Sequence, residues 1–145
     1  MSATTLYDVG VSALKSLLAC MLVLLVDDDP EEFEIFCEAL RVYDRSIKCL
    51  HAVDGQEACD ILMTPRTVLP DYIFLDINMP VMNGKECLEK IKDEPLLRDI
   101  PVIVYTTSSR FSEREMYRSL GARECIVKPT SFSVLVNILR KTLGR

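Results

Sequence analysis

Along this chain, short unbroken apolar runs alternate with longer segments in which apolar residues recur every three or four positions. Residues 21–26, Met-Leu-Val-Leu-Leu-Val, form the first run, and a strand buried on both faces of a parallel sheet reads in this way. Pro30 then opens a helix to Tyr43, with Phe33, Phe36, Cys37 and Leu40 on one face. A second strand follows at 47–53, a turn at Asp54-Gly55, and a short helix at 56–63 with Ala58 and Leu62 inward. After a loop at 65–70, residues 72–76 give a third strand and residues 84–92 a third helix. Residues 93–99 make a longer connection, 101–105 a β-branched fourth strand, and 112–120 a weaker helix closed by Gly121. A fifth strand at 125–127 and an amphipathic helix at 131–143, through Val134, Leu135, Ile138 and Leu139, complete five (βα) units. That order predicts an α/β domain with a parallel sheet between two helical layers, joined by right-handed crossovers.

Residues 1–20 stand apart as an N-terminal extension to a domain at 21–145. Leu6, Val9, Ala13, Leu14, Leu17 and Leu18 recur at helical spacing, yet no Gly, Pro or polar break separates them from the first strand. An added amphipathic helix, a leader before a start at Met21, and a secretory segment all fit this pattern, with the start at Met21 favoured. The apolar run from Leu17 to Val26 falls well short of the ~20 residues of a membrane span and ends in three aspartates.

In a parallel sheet all five strands end at one edge, where ligands bind. The polar residues there are Asp27, Asp28 and Asp29 after the first strand, Asp76 after the third, Thr106, Thr107 and Ser108 after the fourth, and Lys128-Pro129 after the fifth. Asp76 alone could equally be a cap for the strand or the next helix. As a set, clustered carboxylates repel one another unless a cation neutralises them. Mg²⁺ suits such an oxygen-donor site, because it keeps several waters and uses only one or two carboxylates. A remaining carboxylate can then act as a nucleophile toward phosphorus, with Lys128 and Thr106 taking phosphoryl oxygens.

Composition narrows the range of functions. A net charge of −5 and a pI near 4.9, with 17 scattered basic residues, argue against a nucleic-acid footprint. The six cysteines form no CxxC pair, and all but Cys20 fall inside apolar-periodic segments. Buried thiols in a reducing, cytoplasmic compartment fit this better than disulfides or zinc ligands. His51, the only histidine, sits on the second strand and reads as structural.

From residue 21 to 143 the chain resembles the receiver domains of response regulators, the CheY-like family. Four motifs carry the likeness in order: Leu24-Leu25-Val26-Asp27-Asp28-Asp29-Pro30, Leu75-Asp76-Ile77-Asn78-Met79-Pro80 with Asn83-Gly84, Pro101 to Thr106, and Val127-Lys128-Pro129. The resemblance implies a flavodoxin-like doubly wound sheet in the order 2-1-3-4-5. It implies that Asp76 accepts a phosphoryl group from a histidine kinase or histidine phosphotransfer protein. Mg²⁺ would be held by Asp28 directly, by Asp27 through water, by Asp76 and by the backbone carbonyl of Asn78. Thr106, in preference to Thr107, and Lys128 would contact the phosphoryl group. Asp29 would face outward at the start of the first helix. The Lys128–Pro129 bond is expected to be cis, so that the turn aims the lysine into the site.

The chain departs from the family pattern in the fifth strand, where Cys125 stands in place of the Tyr or Phe that many receivers use as a rotamer switch. Tyr105, beside Thr106, is the other switch candidate. Asn78 and Ser108 flank the path of attacking water, and both are small and uncharged. The connection at 93–99 resembles that of single-domain regulators linked to photoreceptor or hybrid kinases. With the chain ending soon after the last helix, output is expected through another protein, without membrane or nucleic-acid contact. The fourth helix, fifth strand and fifth helix would form that face, with Phe111, Met116, Tyr117, Phe132 and Val136 as anchors that helical spacing mostly assigns to the core. Self-association through the same face also fits. Three rival readings compete: a flavodoxin-type cofactor binder, disfavoured because three aspartates repel phosphate unless a metal intervenes; a haloacid-dehalogenase-type phosphatase, which would need an acid where Asn78 stands; and a degenerate receiver acting as a constitutive interaction module, against which the intact acidic pair, Asp76, Thr106 and Lys128 argue.

Overall fold

A computed structural model describes residues 20–65, 68–79, 82–107 and 110–144. The expected extension at 1–20 therefore lies outside the described residues except for Cys20, which is buried. Ten elements alternate strictly: β1 (Leu22–Val26), α1 (Pro30–Tyr43), β2 (Lys48–Ala52), α2 (Gly55–Met63), β3 (Tyr72–Leu75), α3 (Gly84–Asp93), β4 (Val102–Thr106), α4 (Phe111–Ser119), β5 (Glu124–Val127) and α5 (Phe132–Leu143). The strands form one parallel sheet in the order β2-β1-β3-β4-β5, as the resemblance implied. β1 and β4 are buried at every position because helices cover both faces of the sheet, which is why their sequences are apolar throughout.

Side chains alternate across each strand, so the sheet divides the interior into two clusters. Val23, Leu25, Phe74, Ile103, Tyr105 and Ile126 meet Phe36, Ala39 and Leu40 of α1 and Leu135, Val136, Leu139 and Leu143 of α5. On the other face Leu24, Val26, Ile73, Leu75, Val102, Val104 and Cys125 meet Ala58 and Leu62 of α2, Cys87, Leu88 and Ile91 of α3, and Tyr117 of α4. Helix starts are fixed by side chains that satisfy free N–H groups. Asp29, Asp54, Asn83 and Ser131 accept from Glu31, Glu57, Glu86 and Val134 respectively. At the opposite end of the sheet from the strand termini, Asp71 ties β1 to β3: its Oδ2 accepts from the buried Leu22 N–H at 2.8 Å, and its own N–H donates to the Leu22 carbonyl at 2.7 Å. The long connection after α3 is held by Lys92, whose ammonium donates to the carbonyls of Arg98 and Ile100. Gly121 ends the turn after α4 at φ 109°, a conformation that favours glycine.

Several inward assignments are corrected. Val134 is 45% exposed, because α5 turns Leu135, Leu139 and Leu143 to the sheet and Val134 lies a quarter-turn off that stripe. Phe111 at 69% exposure, Met116 and Phe132 are likewise outside the core, whereas Tyr117 and Val136 are inside it. Spacing identifies the right helices, and in α2 both inward residues, Ala58 and Leu62, are buried, whereas the apolar stripes of α4 and α5 are wider than the faces that pack. Among the described residues no helix is long and apolar enough to cross a membrane.

Candidate functional site: an acidic pocket at the sheet edge

The register brings the carboxyl ends of β1, β3, β4 and β5 side by side, and the ladder continues for one residue beyond them. Asp27 N–H donates to the Ala52 carbonyl at 3.0 Å, Asp76 N–H to Val26 at 2.9 Å, and Lys128 N–H to Thr106 at 2.7 Å. Residues separated by up to 101 positions in sequence are thereby fixed at one rim by backbone alone.

Asp27 is the most confined side chain of the set. Its Oδ1 accepts from the Asp29 N–H at 2.9 Å, its Oδ2 from the Lys128 ammonium at 2.8 Å, and its carbonyl oxygen lies 2.8 Å from His51 Nε2. His51 in turn stacks flat on Phe33 at 4.2 Å between centroids. Asp76 is buried, and its Oδ1 accepts from the Asn78 N–H at 3.1 Å while Oδ2 stands 3.7 Å from the same Lys128 ammonium. Asp28 is exposed at the rim, and carboxylate oxygens of Asp27, Asp28 and Asp76 all lie within 4.8 Å of one another. Asp29 points outward and caps α1, so the register places Asp27 and Asp28 as the pocket pair.

Three carboxylates facing one ammonium leave a net charge of −2 when all are ionised. Burial raises the Asp76 pKa; the Asn78 N–H and Lys128 pull it back, while Asp27 and Asp28 add to the rise. Burial acts to lower the Lys128 pKa, but the hydrogen bond to Asp27 and the charges of Asp76, Asp27 and Glu32 outweigh it, and the net shift is upward. The pocket therefore lacks positive charge. Its donors are all hard oxygens, the chemistry that suits Mg²⁺ or Mn²⁺, so the residues fit a divalent cation.

Thr106 ends β4 and is buried, whereas Thr107 is exposed. The two switch candidates fall on opposite faces of the sheet. Tyr105 is buried against Phe36 and Phe74, with the Lys128 ammonium 5.4 Å from its ring centroid; Cys125 lies in the other cluster, its Sγ 3.7 Å from the Arg114 carbonyl. The Lys128–Pro129 bond, expected to be cis, is trans. Pairing of the Lys128 N–H with Thr106 already sets the backbone at the rim, and the four-carbon side chain spans the remaining distance to Asp27 without a cis turn. Ser108 and Pro80 lie outside the described residues.

His51, read from the sequence as structural, supports Asp27 from the neighbouring strand, and one further contributor is not legible in the sequence. Gly84 lets α3 approach the loop after β3: a Cβ there would stand 2.5 Å from Ile77 Cα and 2.8 Å from the Asp76 carbonyl oxygen. The Asn-Gly pair was noted as part of a motif, but the need for a bare α-carbon was not.

Comparison with known proteins agrees with this geometry. A probable cyclic di-GMP phosphodiesterase of Vibrio cholerae is 35% identical over 113 residues, covering 78% of this chain but 24% of that protein, so the chain spans about a quarter of that relative's length. The polar-differentiation response regulator DivK of Brucella anthropi is 29% identical over 122 residues, covering 84% of this chain and 95% of DivK. The crystal structure of the Mn²⁺-bound form of response regulator Rcp1 superposes with a TM-score of 0.78 at 26% identity, covering 86% of this chain and 95% of Rcp1. The family model described as the response regulator receiver domain matches residues 23–140, a span that contains all the pocket residues and every strand but for Leu22, the first residue of β1, and the chain belongs to that family.

Proposed function

We propose that this receiver domain takes a phosphoryl group onto Asp76 from a phosphohistidine of a histidine kinase or histidine phosphotransfer protein, and passes the signal on through protein contacts in the cytoplasm. The observation that carries the reading is the placement of Lys128, whose single ammonium lies 2.8 Å from Asp27 and 3.7 Å from Asp76 in a pocket with a third carboxylate. An Asp76 oxygen attacks phosphorus, the phosphorus–nitrogen bond of the donor breaks, and an acyl phosphate remains. Lys128, already held by Asp27, stands where it can pair with a phosphoryl oxygen as the Asp76 charge becomes part of the acyl phosphate. Thr106 offers a hydroxyl at the end of β4 for a second oxygen. Asp27, Asp28, Asp76 and the Asn78 carbonyl would hold Mg²⁺, which when bound supplies the charge neutralisation that transfer requires. Tyr105 and Cys125 are the residues through which occupancy would reach the two faces. The exposed Phe111, Met116, Val127 and Phe132 belong to α4, β5 and α5 and supply apolar contacts for a target or a second copy of the chain.

Incubation with a phosphorylated histidine donor, followed by intact-mass analysis, tests this. Incorporation of one phosphoryl group is expected with Mg²⁺, none with EDTA, and none in Asp76→Asn. Incorporation that persists in Asp76→Asn would move the acceptor elsewhere, and failure of the unaltered chain to label or to bind beryllofluoride would favour a constitutive interaction module.

A further inference from the structure

Away from the pocket, two cysteines form a pair that the proposed phosphotransfer does not use. Gly55 and Cys59 lie one turn apart on the same face of α2, and a Cβ placed on Gly55 would stand 3.1 Å from the Cys87 Cβ of α3. That face of α2 therefore lies directly against Cys87, which puts the Cys59 side chain, one turn along it, beside the Cys87 thiol. The two differ in access. Cys87 is fully buried, while Cys59 is half-buried and lines a surface cavity of about 390 Å³ with Gln56, Asp60, Met63 and Lys90. The neighbouring Cys87 thiol, assisted by Lys90 against burial and Asp60, lowers the Cys59 pKa to about 7; the Cys59 partner and burial together raise the Cys87 pKa. An accessible, ionisable thiol backed by a protonated one is the arrangement of an attacking and a resolving cysteine.

We propose that Cys59 and Cys87 form a hydroperoxide-oxidised dithiol that closes to a disulfide joining α2 to α3. The Cys59 thiolate attacks a peroxide oxygen and the O–O bond breaks. Sulfur keeps the OH as a sulfenic acid, and the departing hydroxide takes a proton to become water. Sulfur has lost two electrons and the peroxide has gained them. The Cys87 sulfur then displaces the hydroxyl from Cys59, its proton leaves with that hydroxyl as a second water, and the S–S bond forms. The cavity beside Cys59 admits so small an oxidant. Cys87 lies on the first turn of α3, three residues after Gly84, which packs against the Asp76 backbone, so the bond would fix the start of α3 beside the acidic pocket.

The test uses the full chain, reduced, then exposed to hydrogen peroxide at near-stoichiometric amounts and quenched by alkylation before intact-mass and peptide mapping. The expected result is loss of two of the six alkylatable thiols, a product that carries two fewer alkyl groups and is lighter by a further ~2 Da than the alkylated reduced chain, and a linked Cys59–Cys87 peptide formed before any other. Cys87→Ser should stop at a sulfenic acid on Cys59 that dimedone traps, and Cys59→Ser should leave Cys87 reduced. Cys37 on α1 and Cys49 on β2 also adjoin and give an internal comparison. Cross-linking of that pair first, or oxidation of the unaltered chain that leaves Cys59 reduced, would overturn the proposal. None of these readouts depends on phosphorylation.

Discussion

The charge imbalance of the pocket should make Asp76, the proposed acceptor, a source of instability, and Asp76→Asn should show it. Asparagine keeps the shape and the oxygen that accepts from the Asn78 N–H, so the substitution removes little except charge. With an effective dielectric constant of ~20, two unit charges at the 4.8 Å limit of the Asp27, Asp28 and Asp76 oxygens repel by about 3.5 kcal/mol, and Asp76 has two such neighbours. Its attraction to Lys128 at 3.7 Å returns about 4.5 kcal/mol. The remaining repulsion is on the order of 2 kcal/mol, to which the burial of Asp76 adds in the same direction. Without metal, Asp76→Asn should therefore raise the unfolding midpoint by on the order of 5 °C. The folded pKa of Asp76 lies above its unfolded value, so its ionisation opposes folding. The penalty is complete above the folded pKa and fades as pH falls through it toward the unfolded value. Thermal unfolding of both chains in EDTA, at neutral and at acid pH, should show a gap at neutral pH that narrows on acidification. Millimolar Mg²⁺ should lift the unaltered chain by mass action and close the gap from the other side. An Asp76→Asn protein that melts at or below the unaltered chain in EDTA at neutral pH would refute the charge analysis.

Gly84→Ala should cost about 1–3 kcal/mol in urea unfolding, because the new methyl meets the backbone of Ile77 and Asp76; an unchanged midpoint would mean that α3 moves aside freely. Asp71→Ala strands the buried Leu22 N–H and should cost about 1–3 kcal/mol, with Asp71→Asn recovering part of the loss. Asp54→Ala removes the cap on α2 and should cost about 1 kcal/mol by the same assay. The folded pKa of Lys128 is raised, so its contribution is full below the unfolded lysine value and is lost as pH rises through the folded one. Lys128→Met should therefore lessen the loss of stability at alkaline pH, the remainder coming from buried acids such as Tyr105 and Tyr117 whose pKa values are also raised.

What could be read without coordinates was what local chemistry dictates. The five apolar runs and the helices between them declare themselves because strand burial and helical periodicity each act over a few residues, and the pocket set follows once every strand end is known to meet one edge. Asp29 was assigned outward and the structure has it capping α1. Properties set by distant packing were not legible. Val134 fits the helical stripe of α5 but is exposed, since which part of a stripe faces the sheet depends on how the helix docks. The trans Lys128–Pro129 bond depends on the reach of a side chain across the rim, and the partnership of Cys59 with Cys87 on the approach of two helices 28 positions apart in sequence.

The partition of the interior by the sheet has a consequence for mutational behaviour. Phe36 and Leu139 touch one cluster, Leu88 and Ile91 the other, and the strand backbones stand between them. Truncations on opposite sides should sum to within about 0.5 kcal/mol, whereas two on the same side should interact. The molecule can thus vary one half of its interior without retuning the other.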